Sequence, residues 1–146
     1  FYCKLLKQTI AALEGKQLNY FKEIKLIFPF DARLPKSYVE DPRLRMQLYQ
    51  SLGQANSLEE VDELFEEIKD RFGHPPKAAI YLHHLMRIQV IASSYHIVTI
   101  EVTSFNIYFL QQKGKLKKEK KVLSKIPKDP EKLEKFITKL LVKEFN

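Results

Sequence analysis

The chain has 146 residues, 45% of them apolar, with four glycines, one cysteine and a formal net charge of +7. That length predicts a single domain, 1–146, able to bury roughly two-thirds of its unfolded surface. No apolar run approaches the roughly 20 residues that cross a bilayer as a helix, no signal peptide is visible, the lone Cys3 closes no internal disulfide, and no GxxxxGK[ST] or GxGxxG supplies a phosphate loop. A reducing, cytoplasmic setting is the expectation.

Phe1, Leu5, Leu6, Thr9, Ile10 and Leu13 recur at helical spacing and predict a helix over 1–13 that stops near Gly15. No cap or polar lead-in precedes the stripe, so the opening reads as a piece of a longer polypeptide. Ile24, Leu26 and Phe28 alternate with Lys25 and Ile27 and predict a strand over 22–28. Pro29 and Pro35 bracket an irregular extended segment. Asp41 with Pro42 pairs an N-cap with the proline that suits a first helical position, and the helix runs to about Leu52.

The next helix announces both of its ends. Ser57 and Glu60 form a capping box, each side chain satisfying a backbone N–H left over at the start. Leu58, Val61, Leu64, Phe65, Ile68 and Phe72 make one apolar stripe. Gly73 predicts a left-handed stop, and Pro75 and Pro76 prevent continuation. The opposite face carries Glu59, Glu60, Asp62, Glu63, Glu66, Glu67 and Asp70. Two readings of that face stay open: a dock for a basic partner, or a solvated surface whose acids favour the helix N-terminus.

A helix over 76–94 follows, with Ala79, Leu82, Leu85, Met86, Ile88 and Ile91 covering much of its circumference, so it should be the central buried helix. Strands are predicted over 96–102 and 105–110, and a third over 119–125 after a reversal at Gly114. Asp129–Pro130 repeats the cap signal and opens a last helix that buries Leu133, Phe136, Ile137, Leu140 and Leu141. The order is helix, strand, three helices, two or three strands, helix. That is α+β, with about five helices packed on a small, mainly antiparallel sheet.

Charge is uneven. Residues 57–74 sum to −5, whereas residues 111–146 sum to +7 and hold 12 basic groups, all lysine. Lys117, Lys118, Lys120 and Lys121 lie in the densest part of that run. Lysines on a hairpin protect an edge strand from unwanted pairing, and this is the preferred reading. Weak phosphate contact through these four lysines is the alternative, without the arginine fork that reads base edges. Phe105, Tyr108 and Phe109 beside them suit base stacking or ordinary strand packing.

Catalytic and metal-binding patterns are missing. His83 and His84 are adjacent on a helix and point about 100° apart, His74 lies in the Gly-Pro-Pro stop, and His96 opens a strand. No HExxH, CxxC or spaced carboxylate set appears. No catalytic residue, metal ligand or cofactor is therefore assigned, and the chain by itself reads as no enzyme.

Three motifs carry a family resemblance. They are FYxxLL from Phe1, LPxxYVxDxxxRxxxY from Leu34 to Tyr49, and ExxDRFGxxP from Glu67 to Pro76. In order and separation they resemble the C-terminal domain of the bacterial transcription-repair coupling factor (Mfd), an ATP-driven DNA translocase of several domains. The resemblance covers residues 1–95; beyond them only the helix–strand order supports it. It implies a domain beyond the motor, with ATP and magnesium confined to the motor itself. It also implies a role as a regulatory lid. The domain would pack on the N-terminal, UvrB-like module of the same polypeptide and mask the surface that binds UvrA. RNA polymerase and DNA would be reached only through the full-length protein. Glu67 and Asp70 match the acidic positions of the motif and are the implied contacts, with Glu63 and Glu66 extending the face. Arg71 either braces those acids or joins the contact. A monomeric fragment is expected.

Overall fold

The computed structural model describes residues 24–145. The predicted helix over 1–13, its FYxxLL motif and Cys3 lie outside the described residues. Strand β1 spans Lys25–Ile27; helices α1, α2 and α3 span Pro42–Gln54, Leu58–Phe72 and Lys77–Ser94; strands β2, β3 and β4 span Ile97–Val102, Asn106–Lys113 and Leu116–Leu123; helix α4 spans Pro130–Phe145. The described part is thus α+β, with four helices and a four-stranded sheet.

Each helix starts as its side chains dictate. The Asp41 carboxylate accepts the Arg43 N–H at 2.9 Å and Pro42 opens α1. The Ser57 hydroxyl accepts the Glu60 N–H at 3.1 Å, while the Glu60 carboxylate accepts the Asn56 N–H at 2.9 Å. The box therefore closes one residue earlier than its usual form. Asp129 accepts the Lys132 N–H at 3.1 Å at the start of α4.

The strand order is β1-β2-β3-β4. β1 runs parallel to β2, Leu26 opposite Ile100, and the other pairs are antiparallel. Alternation then sorts the side chains. Leu26, Ile100, Val102, Ile107 and Phe109 face the helices and are buried. Thr99, Glu101, Tyr108 and Leu110 lie on the other face, exposed or half-buried. α3 is the central helix: from Ala78 to Ser93 no residue is fully exposed. Ile91, expected in its core, is only half-buried.

Several local expectations change. β3 runs on to Lys113 in place of 110, and Phe136 and Leu140 of α4 are only half-buried. β4 begins at Leu116 rather than 119 and ends at Leu123. It is an edge strand held by backbone pairing to β3, so burial leaves little trace of it in the sequence. His96 does not open a strand. It follows the end of α3 with φ 59, and its N–H bonds the Ser93 carbonyl at 3.1 Å. Gly73 has φ 86 and ψ −162, which is positive but not left-handed helical, and its N–H reaches the Lys69 carbonyl at 2.8 Å.

Candidate functional site

The outer face of α2 is acidic and exposed. Val61, Phe65 and Ile68 point into the core, which turns Glu63, Glu66, Glu67 and Asp70 to solvent. Glu67 and Asp70 stand three residues apart and so share one side of the helix. Among the described residues neither enters an ion pair, whereas Glu66 pairs with Lys69 at 3.4 Å. Arg71 is exposed too, and its guanidinium lies 5.4 Å from the centre of the Phe72 ring.

Asp62 does not belong to that face, against the sequence expectation. It lies on the flank of the apolar stripe and enters a polar cluster that joins three helices. Its carboxylate meets His83 at 2.8 Å and Arg87 at 2.5 Å. Arg87 also donates to Glu134 at 2.9 Å, and His84 meets the same carboxylate at 2.8 Å. The two histidines, predicted to diverge, do approach different acids. Their rings still stack on each other, 5.3 Å apart, and His83 stacks on Phe65 at 4.4 Å. Both line an open groove of about 680 Å³ between the end of α2 and the start of α3.

The electrostatics follow from burial against pairing. Burial raises the Asp62 and Glu134 carboxyls, but the hydrogen bonds outweigh it and hold both below their ordinary values: Arg87 and His83 at Asp62, His84 and Arg87 at Glu134. Burial lowers His83, with the Asp62 hydrogen bond pulling partly back. Among the described residues no group of three His, Cys, Asp or Glu side chains could hold a metal ion. The cluster is built to hold α2, α3 and α4 in register.

The family-like motifs meet in space to the same end. The Tyr38 hydroxyl donates to the Gly73 carbonyl at 2.6 Å, and its ring packs on Phe72 at 5.8 Å. The Tyr49 hydroxyl accepts the Leu34 N–H at 2.8 Å, and Arg45 donates to the Val39 carbonyl at 2.7 Å. Burial raises both tyrosines above their ordinary pKa. The irregular segment after β1 is thereby clamped to α1 and to the end of α2, so the acidic face is presented from a braced helix.

The four lysines of β4 divide by strand alternation. Lys118 donates to the Glu144 carbonyl at 2.8 Å and sits over the Phe145 ring at 5.1 Å, and Lys120 pairs with Glu144 at 3.3 Å. Both are committed to the end of α4. Lys117 and Lys121 project from the other face, and neither has an ion pair among the described residues. Phe105 is exposed and Phe109 is buried against Phe145.

Among the described residues no helix is long and apolar enough to cross a membrane. Residues 28–122 match the model of the family described as the TRCF domain. The chain is similar to the transcription-repair-coupling factors of Myxococcus xanthus, 29% identical over 61% of this chain and 7% of that protein, and Bacillus subtilis, 29% identical over 62% and 8%. The Haemophilus influenzae protein is 31% identical over 68% and 9%. The chain thus spans less than a tenth of the length of each of these relatives. A crystal structure of the C-terminal domain of a transcription-repair coupling factor shares the fold, with a TM-score of 0.64 over 86% of this chain and 96% of that one, at 20% identity. With the family model covering the stretch from the end of β1 into β4, and with it both the tyrosine clamp and the acidic helix, the chain belongs to the TRCF domain family.

Proposed function

We propose that this domain is a removable lid in a transcription-repair coupling factor of the bacterial cytoplasm. It docks through α2 on the UvrB-like N-terminal module of the same polypeptide and covers the surface that binds UvrA. The observation that carries the proposal is the pair Glu67 and Asp70. Both are exposed on a braced helix without an ion pair among the described residues, in a chain of opposite net charge. ATP and magnesium chemistry stays with the motor, and RNA polymerase and DNA are engaged by the rest of the protein.

The energetics suit a switch. A polar contact of roughly 600–1,500 Å² between domains can be transient. Exposed ion pairs contribute about 0–1 kcal/mol each, and more once desolvated. Losing two charge-assisted contacts worth roughly 2–3 kcal/mol together shifts a closed–open balance about 30- to 150-fold. The lid opens at that cost without unfolding.

The test is UvrA binding to the full-length protein, to its Glu67→Ala/Asp70→Ala variant and to a version lacking the domain. The double variant and the deletion should both bind more tightly than wild type, the deletion at least as much. Thermal melts should show the variant folded, because exposed substitutions usually change stability by under about 0.5 kcal/mol. Unchanged affinity in the folded double variant with a gain on deletion would falsify the two acids and leave the lid. No gain on deletion removes the lid as well.

A further inference from the structure

β4 is the last strand of the sheet, eight residues long, and among the described residues nothing pairs with its outer edge. Alternate residues of such an edge turn a free N–H and C=O outward, a template for one more strand. Lysines alone would make this a guarded edge. Three apolar side chains do not fit a purely protective role: Leu116 and Leu123, at the two ends of the strand, are 77% and 78% exposed, and Phe105 beside Leu123 is 71% exposed. The Ser124 N–H donates to the Phe105 carbonyl at 2.9 Å, which places Phe105 next to the end of the strand.

The cations select the occupant. Lys118 and Lys120 are tied to Glu144, but Lys117 and Lys121 lie on the open sheet face four residues apart, flanking Glu119. Lysines facing a second copy of this edge repel it. An incoming strand with acids opposite Lys117 and Lys121 instead gains two cross-strand ion pairs. Apolar residues at its ends would cover Leu116 and Leu123.

We propose that the outer edge of β4 takes up an extended acidic protein segment of about eight residues by strand addition. Recognition is split: backbone hydrogen bonds set the direction and length, Lys117 and Lys121 choose the charge, and Leu116, Leu123 and Phe105 anchor the ends. This surface is separate from α2 and does not depend on the lid.

The experiment uses the whole chain and three probes of equal label: an eight-residue peptide with Glu at the two positions that would oppose Lys117 and Lys121, Thr opposite Glu119 and Val elsewhere, the same peptide with N-methyl groups on the amides that would face β4, and a single-stranded oligonucleotide. The unmodified peptide should bind and slow hydrogen exchange in β4. N-methylation should weaken it at least tenfold, and so should Lys117→Glu/Lys121→Glu in a variant with unchanged circular dichroism. Equal binding of the N-methylated peptide would mean charge attraction without strand addition and overturns the proposal. So does an oligonucleotide that outcompetes the peptide, or no peptide binding at all. The N-methyl comparison needs no variant, so a misfolded double mutant does not blunt the test.

Discussion

Gly73 combines φ 86 with ψ −162, a backbone region that glycine occupies almost alone. Open space surrounds it, with nothing within 4 Å of a Cβ placed there. Gly73→Ala should therefore cost about 1–3 kcal/mol through backbone strain alone. Urea unfolding checks this, and a variant within a few tenths of wild type would contradict it. Arg87 is the hub of the polar cluster, and Glu134, with 9% of its surface exposed, depends on it. Arg87→Met should cost about 3 kcal/mol, the low end for breaking a buried pair, because His84 still reaches Glu134. A loss below 1 kcal/mol by the same method would show that the cluster is not structural. His83 gives the cluster a pH dependence. Its folded pKa lies below the ordinary 6.5, so as pH falls through 6.5 the unfolded chain takes up the proton first and stability declines. Asp62 and Glu134 are also held low, so their contribution is present above their unfolded values and lost as pH falls through their folded ones. Melting temperature should drop between pH 7 and 5, and His83→Phe should flatten that drop. Parallel profiles for the two proteins would refute the assignment.

At the scale of elements, α2 was legible from end to end because every device that limits it is local. Ser57, Glu60, Gly73 and the apolar spacing all lie within one stretch of chain. β4 was legible as a strand after the reversal at Gly114, but with its bounds displaced, 119–125 in place of Leu116–Leu123. An edge strand buries little, so its bounds are set by pairing with β3, which no local pattern encodes. The polar cluster was missed for a related reason: Asp62, Arg87 and Glu134 are scattered along the chain and meet only in the fold. Signals for it existed. Glu134 interrupts the stripe of Leu133, Ile137 and Leu141, and Arg87 sits in the middle of a largely apolar helix. A charge in either place requires a partner. The acidic face of α2 was legible as a charge pattern, but the commitment of Asp62 elsewhere was not. The lysines of β4 also make a prediction as an element. Replacing Lys117 and Lys121 by Thr strips the charge from the edge and should produce concentration-dependent oligomers. Light scattering coupled to gel filtration measures this, and a variant monomeric at every concentration tested would assign the guarding role elsewhere.

For the molecule as a whole, the α+β class followed from the order of patterns, since runs of helices and runs of strands segregate along the chain. What that order did not disclose is that β1 leaves its neighbours in sequence and pairs parallel with β2 across three intervening helices. Leu26 and Ile100, opposite each other and fully buried, are separated by all of α1, α2 and α3. During synthesis this separation becomes a delay. β1 emerges with Ile24, Leu26 and Phe28 ready for burial, but the strand that receives it is still unmade. At synthesis speeds of about 5–20 residues per second, the missing stretch takes roughly 4–15 s to appear. Through that interval β1 is an apolar strand with no β2 to pair with, and the nascent chain is most exposed to wrong pairing before the ribosome reaches Ile97.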